Sequence, residues 1–514
     1  MNARVSFLLL ALAFPSACSV GPDYVRPDAP TAATYKEAGS WKIGEPGDTA
    51  SREQWWAEFD DTTLDGLEHR IEVSNQDLAA AQARFRQARA LVEQARAAYF
   101  PNATIGLSAG RSHRSANAGF SGSGTSAGGA AGSSSSTSLN SSDYVLPIDI
   151  SWEADVWGRV RRSVESSRAS AQASAADVAA TLLSLRAECA TDYFTLRSLD
   201  SQQQLLDDTV KAFEKSLQVT KNRYSAGVAA RTEVAQAETQ LENTRTQAID
   251  VGVQRAQVEH AIAVLVGTTP SDFSLAPAPL RDVPPPVPPG LPSELLEQRP
   301  DVAAGERRVA AANAQIGVAQ AAYYPDVTLS ASGGLQSAHL SDWFTWPSRF
   351  WSVGPSISET VFDGGLRHSQ TRQARAAYDA EVAAYRKSVL TGFQEVEDSL
   401  AALRILENEA EVQQRAVASA EESVRLTINQ YKAGIVSYLN VVVVQATALS
   451  SERDAVVTRN RRMAATVQLI KALGGGWTAR ELPSDANVSR TDAPHVDTLE
   501  ASGAGASEAP AVAR

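Results

Sequence analysis

Only two thiols occur in the sequence, Cys18 and Cys189, and each invites different chemistry. Cys18 follows Arg4, the short apolar run Val5–Phe14 and the small residues Ser16 and Ala17. A positive charge, an apolar run too short to span a bilayer and small residues before a cut mark a secretory signal, here residues 1–17. A cysteine placed directly after that cut is positioned to take a diacylglyceryl group, with palmitoyl-type acyl chains as the anchor. Pro15 stands where such sites usually carry Leu, and Ser19 is not the Asp associated with inner-membrane retention. The alternative is an ordinary signal with an incidental cysteine. Cys189 lies on an apolar helical stripe, where a free thiol is expected to be buried and inert.

Elsewhere the residue types that make and break bonds are present without arrangement. The six His residues are scattered. There is no HExxH, no GxSxG and no phosphate-cradling Walker loop, so no catalytic, metal or cofactor site is expected beyond the lipid on Cys18. A net charge of −12 with no basic stripe argues against nucleic acid as a partner.

What is organised is a repeat. Asn222–Glu238 reads NRYSAGVAARTEVAQAE and Asn429–Gln445 reads NQYKAGIVSYLNVVVVQ. In the first, Tyr224 precedes Gly227 by three residues; in the second, Tyr431 precedes Gly434 by the same step. Glycine takes the left-handed conformation that ends a helix at little cost. Each copy is therefore expected to be the tip of a helical hairpin. No Pro or Gly interrupts Arg159–Ala226, and at about 1.5 Å per residue this predicts a helix on the order of 100 Å long. Arg231–Val266 is its return arm, and a second outgoing arm starts at Leu366. There Val382, Val389, Val396, Leu403, Ala410, Val417, Val424 and Tyr431 recur every seven residues, as do Val442, Leu449, Val456, Met463 and Ile470. That step implies supercoiled packing. Upstream, Ala97–Gly110 (AAYFPNATIGLSAG) matches Ala321–Gly334 (AAYYPDVTLSASGG), and Val156–Arg161 matches Phe362–Arg367.

Period-two alternation, the mark of strands, fills the space between these anchors. It runs through Ile105, Leu107 and Ala109, through Tyr144 to Trp152, through Val327 to Gly333, and through Trp351 to Ile357. Asn117–Ser142 is nearly all Ser, Gly, Ala and Thr and is expected to be a flexible loop. Trp343, Phe344, Trp346, Phe350 and Trp351 cluster at one hairpin end, which suggests an interfacial aromatic belt. The alternative is a packed core hairpin. Beyond the signal, no apolar run reaches transmembrane-helix length, so a membrane could be crossed only by strands in a closed sheet. About four strands per chain cannot close a barrel, and two chains would close a filled one. Three chains would supply about twelve strands and leave a water-filled interior.

Taken in order, Cys18–Pro27 (CSVGPDYVRP), Trp55–Leu67 (WWAEFDDTTLDGL), Tyr99–Gly110, Val156–Arg161 and the paired tips resemble the outer-membrane factors. These are the TolC-like channels, and the likeness is greatest to their NodT-type lipoprotein branch. It extends from Cys18 to about Trp477. The resemblance implies a mainly α protein with a membrane β-barrel. Its form would be a trimeric twelve-stranded barrel, four strands per chain, continued by a long α-helical coiled-coil barrel with a mixed equatorial region. The expected order is a signal over 1–17, a lipidated N-terminus and first equatorial and helical segment over 18–102, and a β-hairpin over 103–153. A helical hairpin over 154–275, a linker with an equatorial helix over 276–325 and a second β-hairpin over 326–362 follow. A second helical hairpin over 363–475 and a disordered tail over 476–514 complete it.

The resemblance further implies a passive duct, not an enzyme, that exports drugs or other small solutes from periplasm to exterior. Its setting would be the outer membrane of a Gram-negative bacterium, among outer-membrane lipid, with most of the mass in the periplasm. Its partners would be two further copies of itself, a periplasmic membrane-fusion adaptor and an inner-membrane pump of the proton-driven RND type. The competing reading is a periplasmic coiled-coil structural or adaptor lipoprotein without a pore. In the family, side-chain contacts at the tips close the resting tube, which opens when the helices splay. Several relatives carry an acidic residue in a YLxxLDAQ-like run at the second tip. Here Tyr438–Gln445 reads YLNVVVVQ, with Val443 at the acidic position. This departure implies an apolar constriction at Leu439 and Val443, with Glu233 of the first tip as the other source of charge. The alternative is that the valines only pack on a neighbouring helix.

Overall fold

A computed structural model describes residues 19–30, 32, 34–37, 52–113, 115, 140–281, 283–285 and 295–489. The signal, Cys18 and most of the Ser/Gly stretch lie outside them. The chain divides into two compact units. One comprises Met1–Val25, Ala90–Ser167 and Ala310–Asp379; the other comprises Arg26–Arg89, Arg168–Val309 and Ala380–Arg514.

The first unit holds an antiparallel sheet of β1 (Asn102–Ile105), β2 (Ser108–His113), β3 (Asn140–Glu153), β4 (Asp326–Ser337) and β5 (Arg349–Ser358). β1 and β2 both pair with β3 and act as one strand interrupted at Gly106, so the sheet has four positions. Directly opposed residues share a face, and the register sorts them by polarity. Ile148, Gly333 and Trp351 form one row and Ile150, Ala331 and Val353 the next, with Ile105 and Ala103 continuing them. The intervening rows, Asp149 with Ser332 and Ser352, and Ser151 with Ser330 and Gly354, point the other way. Ser332 Oγ donates to Asp149 across the polar face at 2.5 Å. The apolar face is bare: Trp351 is 80% exposed and Ile357 70%. Both edges of the sheet lack a partner strand among the described residues.

The base of the sheet is tied to the start of the chain. Val20 N–H donates to Trp157 O at 3.0 Å, and the buried Arg162 donates to Asp23 Oδ1 at 2.8 Å. Gly158, at φ +84°, lets Ser19 approach so closely that an added Cβ would lie 2.9 Å from its Oγ.

The second unit is helical. It contains α1 (Thr62–Ser74) and most of α2 (Gln76–Ala97), and receives the long helices α3 (Arg159–Ser225) and α6 (Leu366–Lys432). Their return arms are α4 (Arg231–Leu265) and α7 (Tyr438–Ala472); the first part of α5 (Pro300–Ala321), up to Val309, belongs to this unit. Asp61 caps α1 by accepting from Thr63 N and Leu64 N, while its other oxygen accepts from Tyr193 OH of α3 at 2.6 Å. Trp56, Leu64, Leu67 and Ile71 pack with Cys189, Tyr193 and Leu196 of α3, Ile262 of α4 and Met463 and Val467 of α7. Cys189 is a free, fully buried thiol. Of the seven-residue stripe, Val389, Val396, Leu403 and Tyr431 of α6 and Leu449, Met463 and Ile470 of α7 are buried.

Three expectations change. Residues 140–142 belong to β3, because they ladder with Arg111, Ser112 and His113; the rest of the expected Ser/Gly loop, apart from its end in β3, lies outside the described residues. The tail does not begin at 476: Thr478 and Glu481 form a capping box, and a one-turn helix at Asp485–Val488 buries Val488 to 1%. Gln172 of α3 holds this segment, donating to Pro483 O and Asp485 Oδ1 at 3.1 and 3.0 Å. Residues from 490 onward lie outside the described residues. Finally, Phe350 and Trp351 are neighbours in a strand and so point to opposite faces. The five aromatics of the expected belt thus do not share one face; Trp346 is capped by Arg349 at 3.7 Å, and Trp343 packs on Tyr144.

Candidate functional site at the hairpin tips

Both tips lie in the helical unit, and both turns are built alike. Gly227 has φ +74° and Gly434 φ +76°, in the left-handed region that suits glycine. Val228 N–H donates to Arg223 O and Ile435 N–H to Gln430 O, both at 2.9 Å. With Gly227 N–H on Tyr224 O and Gly434 N–H on Tyr431 O, each turn is a Schellman motif.

The side chains around the turns are not alike. Tyr431 is 4% exposed, whereas Tyr224 is 45% exposed. Tyr431 packs edge-on to Tyr438 with centroids 5.3 Å apart, over Ala237 and Val441. Its hydroxyl donates to Glu233 Oε2 at 3.0 Å. Arg223 stands 4.7 Å from the centre of the same ring and donates through Nη1 to Lys432 O at 3.1 Å. Tyr438 OH and Ser216 Oγ share a bond of 3.1 Å. Burial pushes both phenols above their ordinary value, and for Tyr431 the Glu233 carboxylate adds to the rise. Both tyrosines are therefore neutral at any physiological pH. Together these contacts tie the second hairpin to the first.

Glu233 is thus engaged with Tyr431 rather than free. Leu439 and Val443 sit one turn apart on α7 and are 52% and 57% exposed, while Tyr438, Val441 and Gln445 on the other side of the helix are buried. A groove of about 500 Å³ runs beside them between α3, α6 and α7. Phe213, Val424, Ile428 and Leu449 line it, with Asp208, Lys215, Glu421 and Glu452 also at its walls. Gln445 contributes a buried Oε1 that has no hydrogen-bond partner among the described residues. Arg223, Ser216 and Tyr438 were not among the residues singled out from sequence. In the sequence Arg223 shows only as the R of NRYSAG where the second tip reads NQYKAG.

Known proteins share this architecture. The chain matches the family described as outer membrane efflux protein over residues 67–268 and 291–475. It is 32% identical over 463 residues to the probable efflux pump outer membrane protein TtgC of Pseudomonas putida, covering 90% of this chain and 93% of that one. It is 31% identical over 480 residues to the pyoverdine export outer membrane protein OpmQ of Pseudomonas aeruginosa, covering 93% and 98%. The solved outer-membrane channel OprN superposes with a TM-score of 0.80 at 31% identity, over 90% of this chain and all of that one. The Campylobacter jejuni CmeC outer membrane channel has the same fold, with a TM-score of 0.82 at 21% identity over 91% and 97%. The chain belongs to the outer membrane efflux protein family.

Proposed function

We propose that three copies of this chain form a passive duct in the outer membrane of a Gram-negative bacterium, through which small solutes leave the periplasm. The observation that carries this is the two-faced, open sheet. Its exposed apolar rows suit lipid and its Ser/Asp rows suit water. An open edge in lipid leaves backbone groups unpaired at several kcal/mol each, so the edges must meet those of other copies. A four-position sheet closes with water inside only when about three copies contribute. Relatives named for pyoverdine export and for efflux of toluene and of antibiotics support small molecules as cargo. An RND-type pump and a periplasmic adaptor would supply drive and opening, with the groove beside Gln445 as a surface the adaptor could grip. A diacylglyceryl group on Cys18 would enter the leaflet beside the foot of the sheet, where Ser19 is held against Gly158.

Opening at the tips must separate the second hairpin from the first. Tyr431–Glu233 and Arg223–Lys432 are the bonds in the way. Leu439 and Val443, both exposed in the single chain, would then ring an apolar constriction that resists water by dewetting. Native mass spectrometry and planar-bilayer recording of the detergent-purified protein test the reading together. A trimer of low conductance is expected, with Val443→Asp raising conductance and cation selectivity. A solitary chain with its sheet already shut would overturn the duct; an unchanged Val443→Asp trimer would remove Val443 from the pore wall.

A further inference from the structure

Glu68 stands on the buried stripe of α1, between Leu64 and Ile71, and is itself 0% exposed. Neither carboxyl oxygen has a hydrogen-bond partner among the described residues. An ionised carboxylate can only accept, and one without water or donors is strongly disfavoured. Its charged surroundings oppose one another. Asp65, on α1 itself, works against a second negative charge, while Arg186 of α3 favours one. The Cys189 thiol of α3 also lies within Glu68's electrostatic reach.

Arg186 is committed elsewhere as well, donating to Glu72 at 3.0 Å and lying 4.4 Å over the Trp56 ring. His69 packs edge-on to the same indole with centroids 6.1 Å apart. Burial outweighs Arg186 and pushes the Glu68 carboxyl well above its ordinary 4.5, and the same burial pushes the Cys189 thiol up.

We propose that Glu68 is a proton-binding site that couples the seating of α1 on α3 to the pH of its compartment. Glu68 is neutral while α1 is seated and ionises when α1 lifts away. Because the folded value lies above the unfolded one, seating is strongest below about pH 4.5 and weakens as pH rises through the folded value. The proton thus fastens a helix to the bundle through a position whose neighbours along the stripe are all apolar.

Hydrogen–deuterium exchange of α1 amides in the full-length, detergent-solubilised protein tests this, with intrinsic rates removed. Glu68→Gln keeps the shape and cannot ionise. At about pH 4, below the ordinary carboxyl value, the two proteins should protect α1 alike. For each pH unit between about 4.5 and the folded value, wild type should open α1 up to about tenfold more readily, levelling off above the folded value, while Glu68→Gln stays flat. Equal protection in both proteins at about pH 4 and about pH 8 overturns the proposal. Glu68→Leu gives a second arm through thermal melting. A Tm difference from wild type that widens with pH supports the site, and a constant difference overturns it.

Discussion

The two helical hairpins have the same dimensions and different chemistry. Each has an outgoing arm of 67 residues and a return arm of 35. Counted from the first residue of each arm, Arg197, Asp200 and Arg255 of the first hairpin fall at the places of Arg404, Glu407 and Arg462 in the second. In the first, Asp200 is 6% exposed and accepts from Arg197, from Arg255 at 2.7 Å and from Ala278 N–H at 3.0 Å. This network pins the extended segment after α4 across the hairpin, helped by Leu280 N–H on Ser201. In the second, Glu407 is exposed and Arg404 reaches instead to Glu37 near the chain start. Length and turn geometry were kept in both halves while the side chains took on separate tasks.

The contrast is sharpest at Asp200. Asp200→Ala leaves the buried Arg197 without its ion-pair partner, while Arg255 keeps Glu259, and should cost about 3–5 kcal/mol, whereas Glu407→Ala should stay within about 0.5 kcal/mol. Chaotrope unfolding of the solubilised protein measures both, and comparable losses would break the distinction. Turn geometry, being shared, should respond equally. Gly227→Val and Gly434→Val each force a branched side chain into left-handed backbone, at roughly 1–2 kcal/mol, and both should lower Tm by similar amounts. The smallest effect separates the paired tyrosines. Tyr431→Phe removes the bond to Glu233 and should cost about 1 kcal/mol while raising conductance in planar bilayers. Tyr224→Phe should change neither, since Tyr224 is half exposed at its tip.

What the sequence discloses follows from range. Helix arms, tip glycines and strand alternation are local patterns, and Gly227, Gly434 and the rows around Ile148 and Ile150 could be read from spacing alone. The Arg223–Lys432 and Tyr431–Glu233 bonds join residues about two hundred positions apart, and no local period announces them. The segment after Trp477 reads as unstructured because it is rich in Ala, Ser, Gly, Pro and Asp. Leu482 and Val488 are enough to dock it once α3 offers Gln172. Glu68 was legible in principle: a charged residue at helical spacing from Leu64 and Ile71 is a buried acid in waiting. Without a partner in view, it reads as an ordinary surface residue.

Equal arms turn length into a shared coordinate. Removing seven residues from both arms of one hairpin would retract its turn by about 10 Å while leaving the other in place. Tyr431 would then face the wrong stretch of the first hairpin, and every tie between the tips would be lost at once. Insertions and deletions in this part of the gene are therefore tolerable only in matched sets, so the two halves of the chain must drift in sequence while marching in step in size.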